Sequence, residues 1–215
     1  YTIKAGDKEF NAKVVVNASG TSAEEICKMI TDNVGFQIKP RRGEYFVIEK
    51  DVHIVDNVIF PVPTEKGKGV LAVPTVYGNT LIGPNSEPID EASIATSDEG
   101  IKYIKDNIKK ILKEVPLNKA IRTFAGVRPS STSKDFIIEP LGDDNPNFIN
   151  IASIESPGLA SSPGITEYVI EKYIKERLEL MPNPDAVMTR KSDIVMAQLT
   201  DDEKNAVIKE NPQYG

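Results

Sequence analysis

The stretch VVVNASGTSAEE at 14–25 decides how this chain is built. Its three valines predict a buried-type strand, and the small residues after them predict a tight turn. Ser22 with Glu25 three positions later is a capping box, so a helix should begin directly after the turn. The expected buried stripe of that helix is Ile26, Met29 and Ile30. A strand, a small-residue turn and a helix N-terminus together let a ligand approach free backbone N–H groups.

Short strands are predicted on both sides of this stretch. Alternating or apolar runs bounded by turn residues place them at 1–5, 9–16, 40–48, 58–63, 70–76, 80–84, 119–127, 135–139 and 147–153. The first two flank Gly6-Asp7 and predict a β-hairpin. The sequence therefore indicates an α+β fold, in which a large, mainly antiparallel sheet carries flanking helices.

Three further helices are predicted. Thr96 with Glu99 is a capping box at the start of one, and Thr200 with Glu203 caps a short final helix. The helix that begins after Thr96 has the apolar stripe Ile101, Ile104, Ile108, Ile111 and Leu112, and lysines cover its opposite, solvated face. The helix that follows the loop at 156–164 has the stripe Ile165, Val169, Ile170, Tyr173 and Ile174.

Composition excludes several classes of protein. The net charge of −6 over 215 residues argues against nucleic acid or an anionic membrane as the main partner. No apolar run approaches the roughly 20 residues that cross a bilayer, and we expect no membrane span. Cys27 is the only cysteine, which excludes an internal disulfide, and we predict no metal site. These features indicate a cytoplasmic protein, with association to a membrane through an electron-acceptor partner as the alternative.

The stretch FAGVRPSSTSKDF at 124–136 supplies the first candidate for ligand binding. Arg128 follows a predicted strand, and Pro129 stiffens the backbone after it. A rigid arginine can grip a carboxylate or phosphate through two parallel hydrogen bonds, which a lysine cannot match. Lys134 on the same loop could add a second positive charge. A structural arginine at the protein surface remains the alternative.

The stretch IESPGLASSPGI at 154–165 supplies the second candidate. Its loop of very small residues comprises Ser156, Gly158, Ser161, Ser162 and Gly164. Such a loop can lie against a planar ring or present N–H groups to an anion, and it can equally be a plain entry turn to a helix.

Two weaker candidates come from the middle of the chain. Arg42 and Tyr45 of RRGEY lie on a predicted strand, where they point to a pocket or belong to a salt-bridged strand edge. His53 is the only histidine and stands in a charged stretch, so we expect it to be exposed. It lies beside no nucleophile motif, and no Ser–His–Asp set can be assembled.

Taken together, these motifs resemble the FAD-dependent oxidoreductases of the D-amino-acid-oxidase superfamily. The resemblance is strongest to the branch that contains glycerol-3-phosphate dehydrogenase and L-2-hydroxyglutarate oxidase. It rests on VVNASG, RRGEYFVIEK, FPVPTEKGKGVLAVPTVYGNTLIGPN, FAGVRPSS and SIESPGLASSPGI, which span nearly the whole chain. The sequence holds no GxGxxG fingerprint, which such a fold needs for the cofactor pyrophosphate. We therefore expect the chain to be a fragment of a longer flavoenzyme, inactive and without bound FAD by itself.

The resemblance implies roles for particular residues. Arg128 would bind the acidic group of the substrate, with Arg42, Tyr45 and Lys134 as further substrate-binding candidates. The residues implied to contact FAD are Asn17, Ala18, Gly20, Ser156, Pro157, Gly158 and Leu159. No residue is implied as the general base.

The resemblance also implies a domain organisation. Residues 1–20 would end the FAD-binding domain, 21–150 would form the substrate-binding domain over the flavin, and 151–180 would return to the first. Residues 181–215 would lead to a cysteine-rich, ferredoxin-like domain, because NPQYG resembles the sequence just before the first cysteines in that branch.

The implied activity is the oxidation of a small acidic alcohol by hydride transfer to FAD. Glycerol 3-phosphate is favoured as the substrate, because the C-terminal segment resembles the ferredoxin-linked branch. L-2-hydroxyglutarate or a related hydroxy or amino acid is the alternative within the family. A non-catalytic module that binds a ligand or a partner is the alternative from another class.

Overall fold

The computed structural model describes residues 1–63, 69–189 and 194–214 and divides the chain into two compact units, Tyr1–Leu178 and Glu179–Gly215. The strands in chain order are β1 (Thr2–Ala5), β2 (Lys8–Asn11), β3 (Val15–Asn17), β4 (Arg41–Ile48), β5 (Leu71–Pro74), β6 (Thr80–Gly83), β7 (Glu87–Pro88), β8 (Ala120–Arg128), β9 (Ile137–Pro140) and β10 (Phe148–Ala152). The helices are α1 (Ala23–Lys28), α2 (Asp98–Ile108), α3 (Gly158–Val169) and α4 (Asp201–Glu210). The predicted α+β class is confirmed.

The first three strands form two separate pairings. Strands β1 and β2 make the predicted antiparallel hairpin around Gly6, whose φ of +60° suits the turn. Strand β3 leaves that hairpin and pairs parallel with β10, which pairs antiparallel with β9. The prediction that the second hairpin strand runs over residues 9–16 is therefore wrong at its C-terminal end, because the hairpin ends at Asn11. Val16 is also 43% exposed, so β3 is not buried on both faces.

The larger sheet is built around β4, the longest of its strands after β8. Strand β4 pairs antiparallel with β6, β7 and β8, and β5 pairs antiparallel with β6. The predicted strand at 58–63 is reduced in its described residues to one bridge, Ile59 to Ala72. The mainly antiparallel character that the sequence predicts is confirmed.

Helix α2 covers one face of this sheet. Alternate residues of β4 share a face, and Phe46 and Ile48 pack there against Ile104 and Ile108 of the helix. The predicted apolar stripe is thus confirmed. The N-cap is Ser97 rather than Thr96, and its Oγ accepts a hydrogen bond from the backbone N–H of Gly100 at 3.1 Å.

Helix α1 differs from its prediction in cap and face. Ser22 is the N-cap, but its side chain makes no capping hydrogen bond. The buried residues are Ala23 and Cys27, whereas Met29 is 78% exposed. The helix has only six residues and ends at Lys28, so Met29 and Ile30 lie beyond it. Cys27 is buried in their place, because its thiol contacts the side chains of Asn17 on β3 and Asn150 on β10.

The other two helices follow their predictions more closely. Helix α3 starts at Gly158, inside the predicted loop, and buries Val169 and, in the turn after it, Tyr173. Pro163 within it cannot donate to the Leu159 carbonyl, which accepts from the Ser162 hydroxyl at 2.9 Å instead. The predicted capping box of α4, formed by Thr200 and Glu203, is confirmed.

Glu24 ties α1 to the segment that leads into β4. Its carboxylate accepts from the Ile38 backbone N–H at 2.7 Å and contacts Lys28 Nζ at 2.6 Å. Burial works to raise the pKa of Glu24, but the Lys28 and Ile38 hydrogen bonds outweigh it and lower the pKa below its usual 4.5. A lowered folded-state pKa stabilises the fold above the unfolded value, and that stability is lost as the pH falls through the folded value.

We therefore expect Glu24→Gln to lower the free energy of unfolding near pH 7 by about 1 kcal/mol, since a charged hydrogen bond becomes a neutral one. The difference from the wild type should shrink as the pH falls below 4.5, where the native carboxylate takes up a proton. Denaturant unfolding across a pH series measures it. Glu25→Gln, on the same turn, is the control. A difference that stays constant down to low pH would contradict the assigned role of the charge.

The division into parent-enzyme domains at 1–20, 21–150, 151–180 and 181–215 stays a prediction. Strand β3, at the end of the first range, and β10, at the end of the second, are hydrogen-bonded neighbours. Across the described residues, we find no helix with the length and apolar character that spanning a membrane requires.

Candidate active site

One face of β4 and β8 carries the candidate site. The residues paired across the two strands on this face are Arg41 with Arg128, Gly43 with Gly126, and Tyr45 with Phe124. Directly opposed residues of antiparallel strands project to the same side, and alternate residues along a strand share it. The face therefore combines two arginines, two aromatic rings and, between them, two residues without side chains.

Arg128 is the last residue of β8, at the strand end that the sequence predicts. Its Nη1 is buried and makes no hydrogen bond to any residue that the structure describes. A buried charged donor without a partner is costly, and such groups are rare in native proteins. A carboxylate or phosphate oxygen would satisfy it. The guanidinium thus has the character of an anion-binding group whose partner is a ligand.

Arg41 adds a second positive charge, which sequence reasoning missed. Its Nε donates to Ser86 Oγ at 3.0 Å and its Nη2 to the Ser86 carbonyl at 2.8 Å, which fixes the side chain. Like charges directly opposite each other on two strands destabilise a sheet. An anion bound between Arg41 and Arg128 would offset that repulsion.

Tyr45 forms the aromatic part of the face. Its ring stacks on Phe124 with 5.1 Å between centroids and 7° between planes. Burial raises the pKa of the Tyr45 phenol, against a smaller lowering by the nearby Arg128 charge, so the hydroxyl is protonated at neutral pH. Gly83 makes room for the ring, since a Cβ there would lie 2.8 Å from Tyr45 Cδ1. Tyr45 can therefore donate a hydrogen bond to a ligand.

These side chains line a cavity of about 1010 Å³. Arg41, Tyr45, Arg128 and Lys134 all contribute to its wall. Lys134 has a φ of +59°, uncommon for a residue with a side chain, and Ser153, also in the wall, has a φ of +57°. Backbone strain of this kind concentrates at ligand sites. Three of the four substrate-binding candidates from the sequence thus meet in one place.

Arg42, the fourth candidate, lies on the opposite face of β4. Its guanidinium donates to Glu87 at 2.8 Å and to the Ala95 carbonyl at 2.9 Å. The Glu87 hydrogen bond is the main reason that the pKa of Arg42 is raised. A buried carboxylate, Glu44, lies 3.6 Å from its Nε. Arg42 is therefore held by protein partners and does not line the cavity.

The loop before α3 brings one member of the second group of candidates, Ser156, to the same cavity. Ser156 lines its wall, and Leu159 is 92% exposed. Gly158 leaves no space for a side chain, because a Cβ there would lie 2.7 Å from Ile154 Cγ2. An exposed apolar side chain in this loop suits contact with a flat, apolar ligand. The loop follows β10, so the sheet fixes its starting point.

The turn after β3 is stabilised by a buried polar cluster of Asn17, Cys27 and Asn150. The Asn17 side-chain amide donates to the Ala23 carbonyl and to Asn150 Oδ1, both at 3.0 Å. Burial raises the pKa of the Cys27 thiol, which donates to Asn150 Oδ1 at 3.0 Å. The Asn17 side chain is thus occupied by the protein, and it positions the turn rather than facing a ligand.

The turn itself consists of Ala18, Ser19 and Gly20. Gly20 has a φ of +62°, with nothing within 4 Å of a Cβ built on it, so the backbone here is accessible. Glu24 and Glu25 occupy the first turn of the six-residue helix that follows. These carboxylates oppose an anion at that helix N-terminus. The turn therefore suits close packing of a ligand on the backbone more than phosphate binding.

Two predictions concern other chemistry. His53 is exposed, as expected, with a side chain 74% accessible and Nε2 3.3 Å from Asp56 Oδ1. Within the described part of the chain, no three His, Cys, Asp or Glu side chains come close enough to hold a metal ion.

Arg128, whose Nη1 has no hydrogen-bond partner among the described residues, lines one cavity with Tyr45 and Ser156, and this arrangement suits an anionic small molecule. The family model described as "FAD dependent oxidoreductase" matches residues 2–172. The chain belongs to this family of flavoproteins, as its sequence motifs predict.

Several of the relatives that the chain matches are named for glycerol-3-phosphate chemistry, and others are L-2-hydroxyglutarate dehydrogenases. Glycerol 3-phosphate dehydrogenase of Caloramator mitchellensis is 41% identical and aligns with 100% of this chain and 45% of its own length. Glycerol 3-phosphate oxidase of Mycoplasma genitalium is 32% identical over 81% of this chain and 47% of its own length. The dithionite-reduced L-alpha-glycerophosphate oxidase of Mycoplasma pneumoniae with FAD bound superposes with a TM-score of 0.70 at 27% identity, covering 80% of this chain and 44% of its own. The chain spans about half the length of these relatives.

The residues present fit part of a flavin site. Ser156 borders the same cavity as Arg128, and Leu159, three residues further along the loop, is exposed. The Ala18–Gly20 backbone would add a contact without bulk. Of the residues implied to contact FAD, Ser156 lines this cavity, and the contacts of Pro157, Gly158, Leu159, Ala18 and Gly20 with the cofactor stay a prediction.

Proposed function

We propose that the whole protein is an FAD-dependent oxidoreductase that oxidises glycerol 3-phosphate, and that this chain supplies its substrate-anchoring wall. The observation that carries the proposal is Arg128, whose buried Nη1 lacks any partner among the described residues and borders the cavity. The names of the matched relatives, glycerol 3-phosphate dehydrogenase and oxidase, support the choice of substrate.

The anchoring chemistry follows from charge and geometry. Arg128 would take two phosphate oxygens through parallel N–H donors, the arrangement in which a guanidinium is strongest. Arg41 and Lys134 line the same cavity and would share the second negative charge of the phosphate. The same wall holds the carboxylates Glu87, Glu99, Asp135 and Glu155, which would repel a phosphate, so the phosphate would lie at the arginines and not elsewhere in the cavity.

The remaining residues would orient the reacting end. The protonated Tyr45 hydroxyl can donate to a substrate oxygen, and its stacking on Phe124 restricts where the ring lies. FAD, when bound, supplies the two-electron acceptor that turns a secondary alcohol into a ketone. A substrate held by its phosphate at Arg128 presents its hydroxyl carbon at a fixed distance from that anchor.

The experiment follows the flavin absorbance of the complete product of the encoding gene, loaded with FAD and kept free of oxygen. Glycerol 3-phosphate should bleach the flavin rapidly. Glycerol, which differs only by lacking the phosphate, should act at least about a hundredfold more slowly, because it forfeits charged hydrogen bonds worth about 1.5–3 kcal/mol each. L-2-hydroxyglutarate serves as the second comparison.

Each other outcome rejects a defined part of the proposal. Bleaching by L-2-hydroxyglutarate and not by glycerol 3-phosphate would reject the substrate while keeping the enzyme class. A flavin that stays oxidised with both would reject the dehydrogenase function and favour a binding module. Equal rates for glycerol and glycerol 3-phosphate would reject the phosphate anchor.

A further inference from the structure

We infer that Gly43 is a positioning residue, which sets where the Arg128 guanidinium lies and thereby how tightly the substrate anion is held. A Cβ built on Gly43 would lie 2.9 Å from Arg128 Nη2 and 3.1 Å from Nη1. Both distances are below ordinary van der Waals separation. The guanidinium thus occupies the space that any side chain at position 43 would take. The inference rests on the proposed function, since it assigns a consequence for the anion that Arg128 binds.

The backbone gives no other reason for a glycine here. Gly43 is the third residue of the eight-residue strand β4, and it does not have the positive φ found at seven other glycines. Glycine inside a strand weakens it, because it loses the most backbone entropy and packs no side chain. Close approach of another group is the usual compensation. At Gly43 that group is the Arg128 guanidinium.

Pro84 also limits the space at Gly43, since its Cβ lies 3.2 Å from the built Cβ of Gly43 and its ring is rigid. No hydrogen bond between described residues holds Nη1 in place. The guanidinium is therefore the group that would shift, and an added methyl group at Gly43 would displace it from its present position.

The opposite strand offers a matched control. Gly126 is the register partner of Gly43 on β8, and a Cβ built on it meets no atom within 4 Å. Gly43→Ala and Gly126→Ala thus add the same methyl group at the same level of the sheet. Only the first encounters Arg128. A general effect of β-propensity would appear in both variants, whereas displacement of the guanidinium would appear in one.

The test uses the complete FAD-loaded gene product and measures KM and kcat for glycerol 3-phosphate, with inorganic phosphate as a competing anion. Gly43→Ala should raise KM and the phosphate inhibition constant about tenfold or more and change kcat less. Gly126→Ala shows what an added methyl group on the same face costs when it does not meet Arg128, and Gly43→Ala should raise both constants by at least about fivefold more. Flavin content and the thermal midpoint of each variant show whether it is folded.

A double-mutant cycle decides whether Gly43 acts through Arg128. In an Arg128→Ala background, Gly43→Ala should have little further effect on KM, because no guanidinium remains to be displaced. Equal effects in both backgrounds, or a KM for Gly43→Ala within twofold of the wild type, would overturn the inference. A KM unchanged by Arg128→Ala alone would instead refute the anchor in the proposed function, so the two failures are distinguishable.

Discussion

Replacing Arg128 by alanine is expected to raise KM for glycerol 3-phosphate by about a hundredfold to ten-thousandfold. The guanidinium would contribute two charged hydrogen bonds, each worth about 1.5–3 kcal/mol, and every 1.4 kcal/mol is a factor of ten. The loss falls on binding, since the phosphate carries the same charge before and after the alcohol is oxidised. Steady-state kinetics of the complete FAD-loaded protein measures it.

Two variants separate the anchor from charge alone. Arg128→Lys keeps the positive charge but cannot form two parallel hydrogen bonds, so we expect it to recover only part of the loss. Arg122→Ala removes an arginine from the same face of β8, six residues and about 20 Å from Arg128, and should leave KM nearly unchanged. A KM for Arg128→Lys equal to that of the wild type would show that the positive charge alone is sufficient. An effect of Arg122→Ala on KM as large as that of Arg128→Ala would show that the overall electrostatic potential of this face, and not a local anchor, attracts the substrate.

The largest expected loss of stability comes from Gly100→Ala at the start of α2. A Cβ at this position would overlap the Glu44 carboxylate, which is completely buried. That carboxylate accepts hydrogen bonds from the Ser97 backbone N–H and hydroxyl and from the Asn85 amide. Either the helix is displaced or a buried charge loses its donors, and both cost about 3 kcal/mol or more. The thermal midpoint should fall by roughly 5–10 °C.

Gly164→Ala is the matched control for this change. Gly164 lies within α3, and a Cβ built on it meets nothing within 4 Å. Alanine is the better helix former, so this variant should be stabilised by up to about 1 kcal/mol. A thermal midpoint for Gly100→Ala equal to that of the wild type would show that α2 does not need the close contact with Glu44.

Local signals in the sequence were sufficient for several parts of the fold. The apolar stripe of α2 and the capping box of α4 depend on residues a few positions apart, and both are present in the structure. The position of Arg128 at a strand end was also predictable, because a proline follows it. Such features are set by the chain's own periodicity, whatever packs around them.

Features that depend on strand register and distant contacts were not predictable in the same way. Arg41 and Arg42 are neighbours in sequence, yet only Arg41 lines the cavity, because a shift of one residue reverses the face. The inner face of α1 is chosen by Asn150, which is 123 positions from Cys27. Gly43 carried no signal of its own until the pairing of β4 with β8 placed Arg128 over it.

The parallel pairing of β3 with β10 has a consequence for how this family can change. The chain departs after Asn17 and comes back at Asn150, and the two amides touch each other at 3.0 Å. The segment between these two asparagines therefore leaves and rejoins the rest of the chain at one place, the pair of strands β3 and β10. Insertions or deletions within that segment can change the lining of the cavity without changing this strand pairing. The lining of the cavity and the pairing of β3 with β10 can therefore vary independently, provided that the contact between the two asparagines is kept.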